Sequence, residues 1–316
     1  MSHNLIYYKM SNSNRSATTA TAAAAATAAA AATATATAAT TAETVIETVM
    51  PVTVIERTMG LKKSPFDSRD WKYMDVFNKN KMHLTGAGSP PGEIDYRSQM
   101  RPIRDQGSRS TCASFASAAM KEWQELKDVG FKSYMSPEFI YDNRENATSE
   151  GMYLRDVMSI LSTVGVCPED IYPYSASQKT KADVPQLAWD IAIKFNIKSY
   201  ASIASCDELK LALANSGPCM IAFPCYNNTT SFWKPSKANE QLLGGHAVLV
   251  VGYTNTGFII RNSWGHGWAE AGYTYYPFTD WGSHWEVWSS IDATSPQTPV
   301  PVSPVSPVPN ACCSIC

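Results

Sequence analysis

The sequence predicts an α+β fold of two subdomains, with helices gathered in the first half, strands in the second and a cleft between them. Amphipathic stretches of helical period occupy residues 112 to 217. Short apolar runs bounded by Gly, Pro and Asn follow from residue 219 onward, as strands do. Both sets lie between flanks that carry no such patterning.

Residues 1–55 form an Ala/Thr-rich, low-complexity flank. Its central part, "ATTATAAAAATAAAAATATATAATTA" (17–42), has no large apolar side chain to dock on a core, so disorder or transient helix is expected. Residues 56–92 are a lead-in, of which "SPFDSRDWKY" is rich enough in aromatics to pack on the domain. Residues 93–291 read as the compact domain. Residues 292–316 are a Pro-rich, extended tail that ends in Cys312, Cys313 and Cys316.

Within the domain, four helices can be placed. Cys112, Phe115, Ala119, Trp123 and Leu126 recur at spacings of 3, 4, 4 and 3, which gives one buried stripe on a helix ending near Gly130. Ser136 as N-cap and Pro137 in the first turn open the next. Leu154, Val157, Met158 and Leu161 share one face of a third, which stops at Gly165. Ser205 with Glu208 forms a capping box for the fourth, which stops at Gly217. The strands expected after it are "CMIAF", "HAVLVVGY", "GFIIRN" and "AGYTYYPF".

Composition excludes several classes. A hydrophobic fraction of 44% with nine Trp and fifteen Tyr can fill a sizeable core. Net charge is −2 with no long basic run, so no nucleic-acid partner is expected. No strongly apolar stretch approaches the roughly 20 residues of a membrane span, and the N-terminus lacks the apolar core of a secretory signal. A cytosolic monomer is expected. The eight cysteines show no paired zinc-ligand spacing, so neither a metal nor another cofactor is expected. Cys167, Cys206 and Cys219 read as small buried hydrophobes, while "GPCMIAFPC" permits a local Cys219–Cys225 bridge.

Cys112 has different surroundings. It follows the polar stretch "RDQGSRST" at a helix N-terminus, whose partial positive charge favours a thiolate. A reactive thiolate also needs an imidazolium. Of five histidines, His3 lies in a polar tail and His83 in a loop-like lead-in, whereas His246 opens "HAVLVVGY". Asn262 closes "GFIIRN" sixteen residues later, and a hairpin folded at "YTNTG" brings the two to nearly the same level. An Asn amide oxygen there can accept the ring N–H and fix the tautomer. Cys, His and Asn are then nucleophile, base and orienter of a cysteine hydrolase. For His246 alone, a satisfied half-buried histidine is the competing reading.

Five ordered segments resemble the papain-like cysteine peptidases. "QGSRSTCASFA" is similar to the family's active-site segment, and "HAVLVVGY…FIIRNSWGHGWAEAGY" to its His and Asn-Ser-Trp-Gly segments. "EIDYR", "GVCPEDIYPY" and "LANSGPCMIAF" have counterparts too, so the resemblance covers about 200 residues from Glu93 to Ile291. It implies a papain-like fold acting on polypeptides, with Cys112 as nucleophile, His246 as base and acid, and Asn262 as orienter. Gln106 and the Cys112 N–H would form the oxyanion hole, Trp264 would shield the Asn–His bond, and Gly151 would pair with substrate backbone. The family's low thiol pKa would carry over to Cys112.

Departures from the family pattern are informative. Arg109 stands where a Cys is usual three residues before the nucleophile, Ala113 where a Trp follows it, and Ala269 where a Gly is usual. The missing Cys removes a familiar disulfide and suits a reducing compartment. "QGSR" followed by small residues resembles bacterial and large-DNA-virus branches more than lysosomal cathepsins. Residues 1–92 lack the long helical inhibitory prosegment of many relatives. A proteolytically inactive papain-fold protein and an acyltransferase using the same three residues stay open as alternatives. The terminal "CSIC" has the outline of a prenylation box, but its Ser is not aliphatic and no polybasic run precedes it, so an unlipidated tail is expected.

Overall fold

A computed structural model describes residues 57–80 and 90–292. The Ala/Thr-rich flank and the Cys-rich tail lie outside the described residues. In chain order the elements are α1 (Tyr73–Asn80), β1 (Ile94–Asp95), α2 (Cys112–Val129), α3 (Pro137–Asp142), α4 (Leu154–Thr163), α5 (Gln186–Ala192), β2 (Ile197–Ser202), α6 (Cys206–Ser216), β3 (Cys219–Cys225), β4 (Gly244–Tyr253), β5 (Gly257–Arg261), β6 (Tyr273–Pro277) and β7 (Glu286–Asp292), with short 3-10 turns between them.

The helix ends follow the capping chemistry read from the sequence. Gly130 closes α2 in the left-handed region with φ 70°, its N–H reaching the Glu125 and Leu126 carbonyls. The Ser136 side chain accepts the Phe139 N–H at 3.0 Å. Ser205 caps α6 by accepting from Glu208 N at 3.2 Å. The return half of that box is displaced by one residue, since the Glu208 carboxylate takes the Ala204 N–H at 2.8 Å.

The strands form one antiparallel sheet in the order β2-β7-β3-β4-β5-β6, with β1 added to β4. Both faces are covered, and the two-residue period divides the side chains between two cores. Met220, Ala222, Ala247, Leu249 and Val251 face the helices α2 and α4. Ile221, Phe223, Val248 and Val250 face the side of α1, α6 and a dense set of aromatic rings. Burial on both faces is why β3 and β4 read as continuous apolar runs.

Three expectations change here. The α2 stripe is too narrow: Lys121, Glu122, Gln124 and Glu125 are buried while Trp123 and Leu126 are only half-buried. The helix lies between α3, α4 and β4, and Lys121, Gln124 and Glu125 each reach a partner inside. Lys121 bridges Glu125 at 2.7 Å, and Gln124 donates to Ser290 Oγ at 2.8 Å. The Cys219–Cys225 bridge does not exist: the two residues end the same strand, about 20 Å apart at 3.3 Å per residue. All five cysteines among the described residues are free, and Cys206, at the head of α6, is half-exposed rather than buried. Finally, α5, β2 and β7 were not anticipated. α5 fully buries only the small Ala188 and Ala192, and β7 buries Ser289 and Ser290, so neither carries a strong apolar period.

Candidate active site

The site lies on the seam between the two cores. Cys112 is the first residue of α2 and packs in the helical core, and Trp264 belongs to the aromatic core opposite. The side chain of Thr111 does not cap α2, because its hydroxyl is engaged with Tyr174 OH at 3.0 Å. The positive end of the helix therefore faces the thiol. Cys112 Sγ accepts the Ala247 N–H at 3.4 Å, which sets it beside the residue following His246.

The loop before α2 is bonded to the segment after β5. Gln106 N donates to the Ser263 carbonyl at 2.9 Å, and Gly265 N to Arg104 O at 3.1 Å. The Gln106 side chain is fixed at both ends: its Oε1 accepts from Ser263 Oγ at 2.7 Å, and its Nε2 donates to Arg109 O at 2.9 Å. One amide N–H is used there and the second is free to point at a substrate oxygen.

His246 and Asn262 meet at 2.8 Å between Nε2 and Oδ1. The register explains the meeting. Leu249 pairs with Arg261, so Asn262 continues level with Val248, two residues from His246 and on the same face. A bulge between Val250 and Gly252 supplies the offset from a simple hairpin. Asn262 Oδ1 also accepts the Ser263 N–H at 2.7 Å, which assigns the oxygen and hence a proton on His246 Nε2. His246 Nδ1 is left as the basic nitrogen, with no hydrogen-bond partner among the described residues. Trp264 stacks on the imidazole at 4.4 Å between centroids, and Phe232 meets it edge-on at 5.3 Å. Phe232, on the β3–β4 loop, carries no sequence motif and was not anticipated.

Arg109, in the place of the usual Cys, enters an ion pair instead of a disulfide. Its guanidinium contacts Glu138 Oε2 at 2.5 Å and lies 5.0 Å from the Tyr174 ring. Charge and stacking thus tie the loop before α2 to α3.

The lead-in crosses this site. Arg57 pairs with Asp105 at 2.7 Å and donates to the Trp264 carbonyl at 3.1 Å. Leu61 N donates to Gly245 O at 3.1 Å, Lys62 N to Met152 O at 2.9 Å, and Ser64 N to Glu286 Oε1 at 3.0 Å. Gly60 lies against Gly151 so closely that a Cβ on Gly151 would run into the Gly60 carbonyl, and a Cβ on Gly60 would run into Ser110. The Leu61 side chain packs in the same core as Cys112. This strap is extended, short and without period, so no pattern along the chain marks it.

Under the strap Cys112 is 1% exposed and His246 fully buried. Burial pushes the Cys112 thiol up to about 11, against the pull of the Ala247, Ala113 and Leu61 N–H groups. Burial also lowers His246 to about 4, although the Asn262 bond favours its charged form. Under the strap, burial thus opposes both the thiolate of Cys112 and the imidazolium of His246. Among the described residues no cluster of three or more His, Cys, Asp or Glu is placed to hold a metal ion.

Known proteins can now be compared. The sequence profile of the papain family cysteine proteases matches residues 90–280. The chain belongs to that family. It is a cysteine-type peptidase, and its activity is thiol-dependent proteolysis of polypeptides. An uncharacterised peptidase C1-like protein of Acanthamoeba polyphaga mimivirus is 28% identical over 264 residues, covering 72% of this chain and 84% of that one. Mouse cathepsin K is 30% identical over 235 residues, covering 70% and 68%. Among solved structures, xylellain, a cysteine protease from Xylella fastidiosa, superposes with a TM-score of 0.62 at 25% identity, over 75% of this chain and 98% of its own. The viral and bacterial relatives agree with the resemblance of the "QGSR" segment. Among the described residues no helix is long and apolar enough to cross a membrane.

Proposed function

We propose that Cys112, His246 and Asn262 hydrolyse peptide bonds through a thioester, and that residues 57–64 hold the enzyme latent in the form described above. The observation that carries this is the His246–Asn262 hydrogen bond at the seam where the Cys112 thiol opens α2. Once the strap leaves, water reaches the site and the burial that opposes both charges is relieved. The thiol proton passes to His246 Nδ1, and the thiolate attacks the scissile carbonyl carbon. Gln106 Nε2 and the Cys112 N–H receive the oxyanion. The C–N bond breaks as His246 returns its proton to the leaving amine. Water then attacks the thioester with His246 as base, releasing the acid and restoring the thiol. Asn262 keeps the imidazole edge on, Trp264 keeps water from their bond, and Gly151 offers the backbone edge on which the strap now lies.

Gly60→Val in the full chain tests both halves. Its side chain cannot fit beside Ser110, so the strap is displaced without touching the three residues. The variant should hydrolyse peptides and take up an epoxide inactivator on Cys112, and the same variant carrying Cys112→Ala should do neither. An uncovered, folded variant that binds peptides without cleaving them would favour an inactive binding protein, and amine transfer in preference to hydrolysis would favour an acyltransferase.

A further inference from the structure

The sheet floor beside the thiol has a charged end. Ala247 on β4 pairs with Ala222 on β3, and Ala222 pairs with Glu286 on β7. Residues directly opposite on antiparallel strands share a face, so these side chains form one row across the sheet. The row starts at the thiol, since the Ala247 N–H donates to Cys112 Sγ at 3.4 Å. Two strand spacings of roughly 4.8 Å put the Glu286 backbone about 10 Å from that of Ala247. The strap gives the same measure independently. Its Leu61 N–H lies against the Cys112 thiol, and its Ser64 N–H donates to Glu286 Oε1 at 3.0 Å. Three extended residues span about 10 Å.

Between the two ends the side chains are small. The row itself offers two methyl groups. Beside it, a Cβ on Gly245 would run into the Trp285 ring and the Leu61 carbonyl. The strap thus covers a trough, walled by Trp285, that runs from the thiol to a half-buried carboxylate. Trp288 fixes that carboxylate, its Nε1 donating to Glu286 Oε2 at 2.8 Å. The other oxygen meets a neutral N–H of the strap, while the Lys62 ammonium is bonded to Ser149 Oγ at 2.7 Å. Arg155 feels the charge of Glu286 from α4, but it is paired with Asp70 at 2.5 Å. Asp156, also on α4, is raised by burial first and then by the charges of Glu145 and Glu286. The trough therefore ends in negative charge.

We propose that Glu286 is a specificity-determining residue, and that a Lys or Arg side chain of the substrate fills this trough and pairs with its carboxylate. The inference rests on the reading of this cleft as the peptide-binding site that the strap covers. When the strap leaves, Glu286 Oε1 loses the Ser64 N–H, and a charged acceptor left without a partner is costly. A long basic side chain answers the whole trough. Its methylenes lie along the alanine row and the Trp285 ring, and its N–H groups reach the carboxylate. An acidic side chain is repelled there, and a leucine leaves the carboxylate unpaired.

The test uses the full chain carrying Gly60→Val, with Cys112→Ala added for a binding readout that needs no turnover. Fluorescently labelled peptides with one Arg, Leu or Asp moved along an Ala-Gly background serve as probes. At one position the Arg peptide should bind about tenfold or more tightly than the Leu peptide, the scale of one hydrogen bond to a charged group. Glu286→Gln should bring that ratio within about twofold of one, and Glu286→Arg should turn the preference toward Asp. With Cys112 intact, kcat/KM should follow the same order. An Arg peptide bound no better than the Leu peptide at any position would overturn the proposal, even if no Glu286 variant folded. So would a preference for Arg that survives in a folded Glu286→Gln. Cleavage without a basic preference would leave the hydrolysis reading standing and remove this one. A Glu286-dependent preference for Arg without cleavage would keep the subsite and remove the hydrolysis reading.

Discussion

The two walls of the cleft hold their reactive groups by opposite means. Around Cys112, on the α2 wall, buried charges are paired: Arg109 with Glu138, Lys121 with Glu125, Arg104 with Glu122 and with Glu169. Around His246, on the sheet wall, the neighbours are aromatic faces and one neutral amide. In the proposed mechanism the α2 wall presents an anion, and it is built on fixed ion pairs and a helix N-terminus. The sheet wall presents a cation there, against aromatic rings and the Asn262 amide oxygen. Neither wall alone makes its residue reactive. On the function proposed above, the charges appear once the strap leaves and the two exchange a proton in the presence of water.

The largest effects should come from removing the groups that meet across the cleft. In the Gly60→Val background, Cys112→Ala and His246→Ala should each lower kcat/KM by about 10⁴-fold or more, as loss of a nucleophile or base does elsewhere. Asn262→Ala should cost less, because the ring loses alignment but keeps its proton chemistry. If Asn262→Ala were the more damaging at equal folding, base and orienter would have to exchange roles.

On the α2 wall the first consequence should be in stability. Glu138→Ala leaves the Arg109 charge buried beside Ser175 O without its anion. A broken buried pair typically costs about 3–5 kcal/mol. Urea unfolding should show that loss. On the sheet wall, Phe232→Leu trims an aromatic contact with no charge left over and should cost clearly less. Equal losses would mean that the walls are not built differently.

The strap should also shift the reactivity of the thiol along the pH axis. A thiol raised from 9.0 to about 11 is ionised about 10²-fold less at pH 7 than an ordinary one. Alkylation of Cys112 in the full chain should therefore still be climbing at pH 10. In Gly60→Val the limb should move down by two pH units or more, since access to water removes the burial that opposes the thiolate. Steric protection alone lowers the rate equally at every pH. An unmoved limb with only a faster rate would show that the strap blocks without tuning.

The difference between the walls also decides what the sequence could tell. Helix caps, the apolar strands and the Cys112, His246, Asn262 and Gln106 positions were legible because each depends on local spacing or on an ordered motif. Arg109 was visible as a departure, but its partner Glu138 lies on another helix at no recognisable interval. The stripe read for α2 left out its buried polar face, since nothing local to Lys121, Glu122 or Glu125 announces that α3, α4 and β4 surround it. The strap was the least legible element. Its hold on the cleft is made by main-chain bonds from Leu61 and Lys62 and by the absence of side chains at Gly60 and Gly151, none of which has a pattern along the chain.

The smallest effect concerns the turn that supports Asn262 on the sheet wall. Asn262 N donates to Gly272 O at 3.0 Å, and Gly272 N to Trp268 O at 2.7 Å. Between them Ala269 has φ 47° and Ala271 φ 54°, in the left-handed region that disfavours a Cβ. Ala269 is exposed, so its methyl packs against nothing that would be missed. An L-residue pays about 1–2 kcal/mol to sit there. Glycine removes that strain but makes the unfolded chain more disordered, at about 0.4–1 kcal/mol. The net gain for Ala269→Gly should be about 0.5–1 kcal/mol, a rise of roughly 1–4 °C in Tm for a domain of this size. Ala214→Gly, inside α6 where φ is helical, should lose about 1 kcal/mol and serves as the control. Turnover by Ala269→Gly in the uncovered enzyme should stay within about twofold, because Gly272 and not the Ala269 side chain holds the Asn262 amide. A destabilised Ala269→Gly would mean that the positive φ is not where the strain in this turn resides.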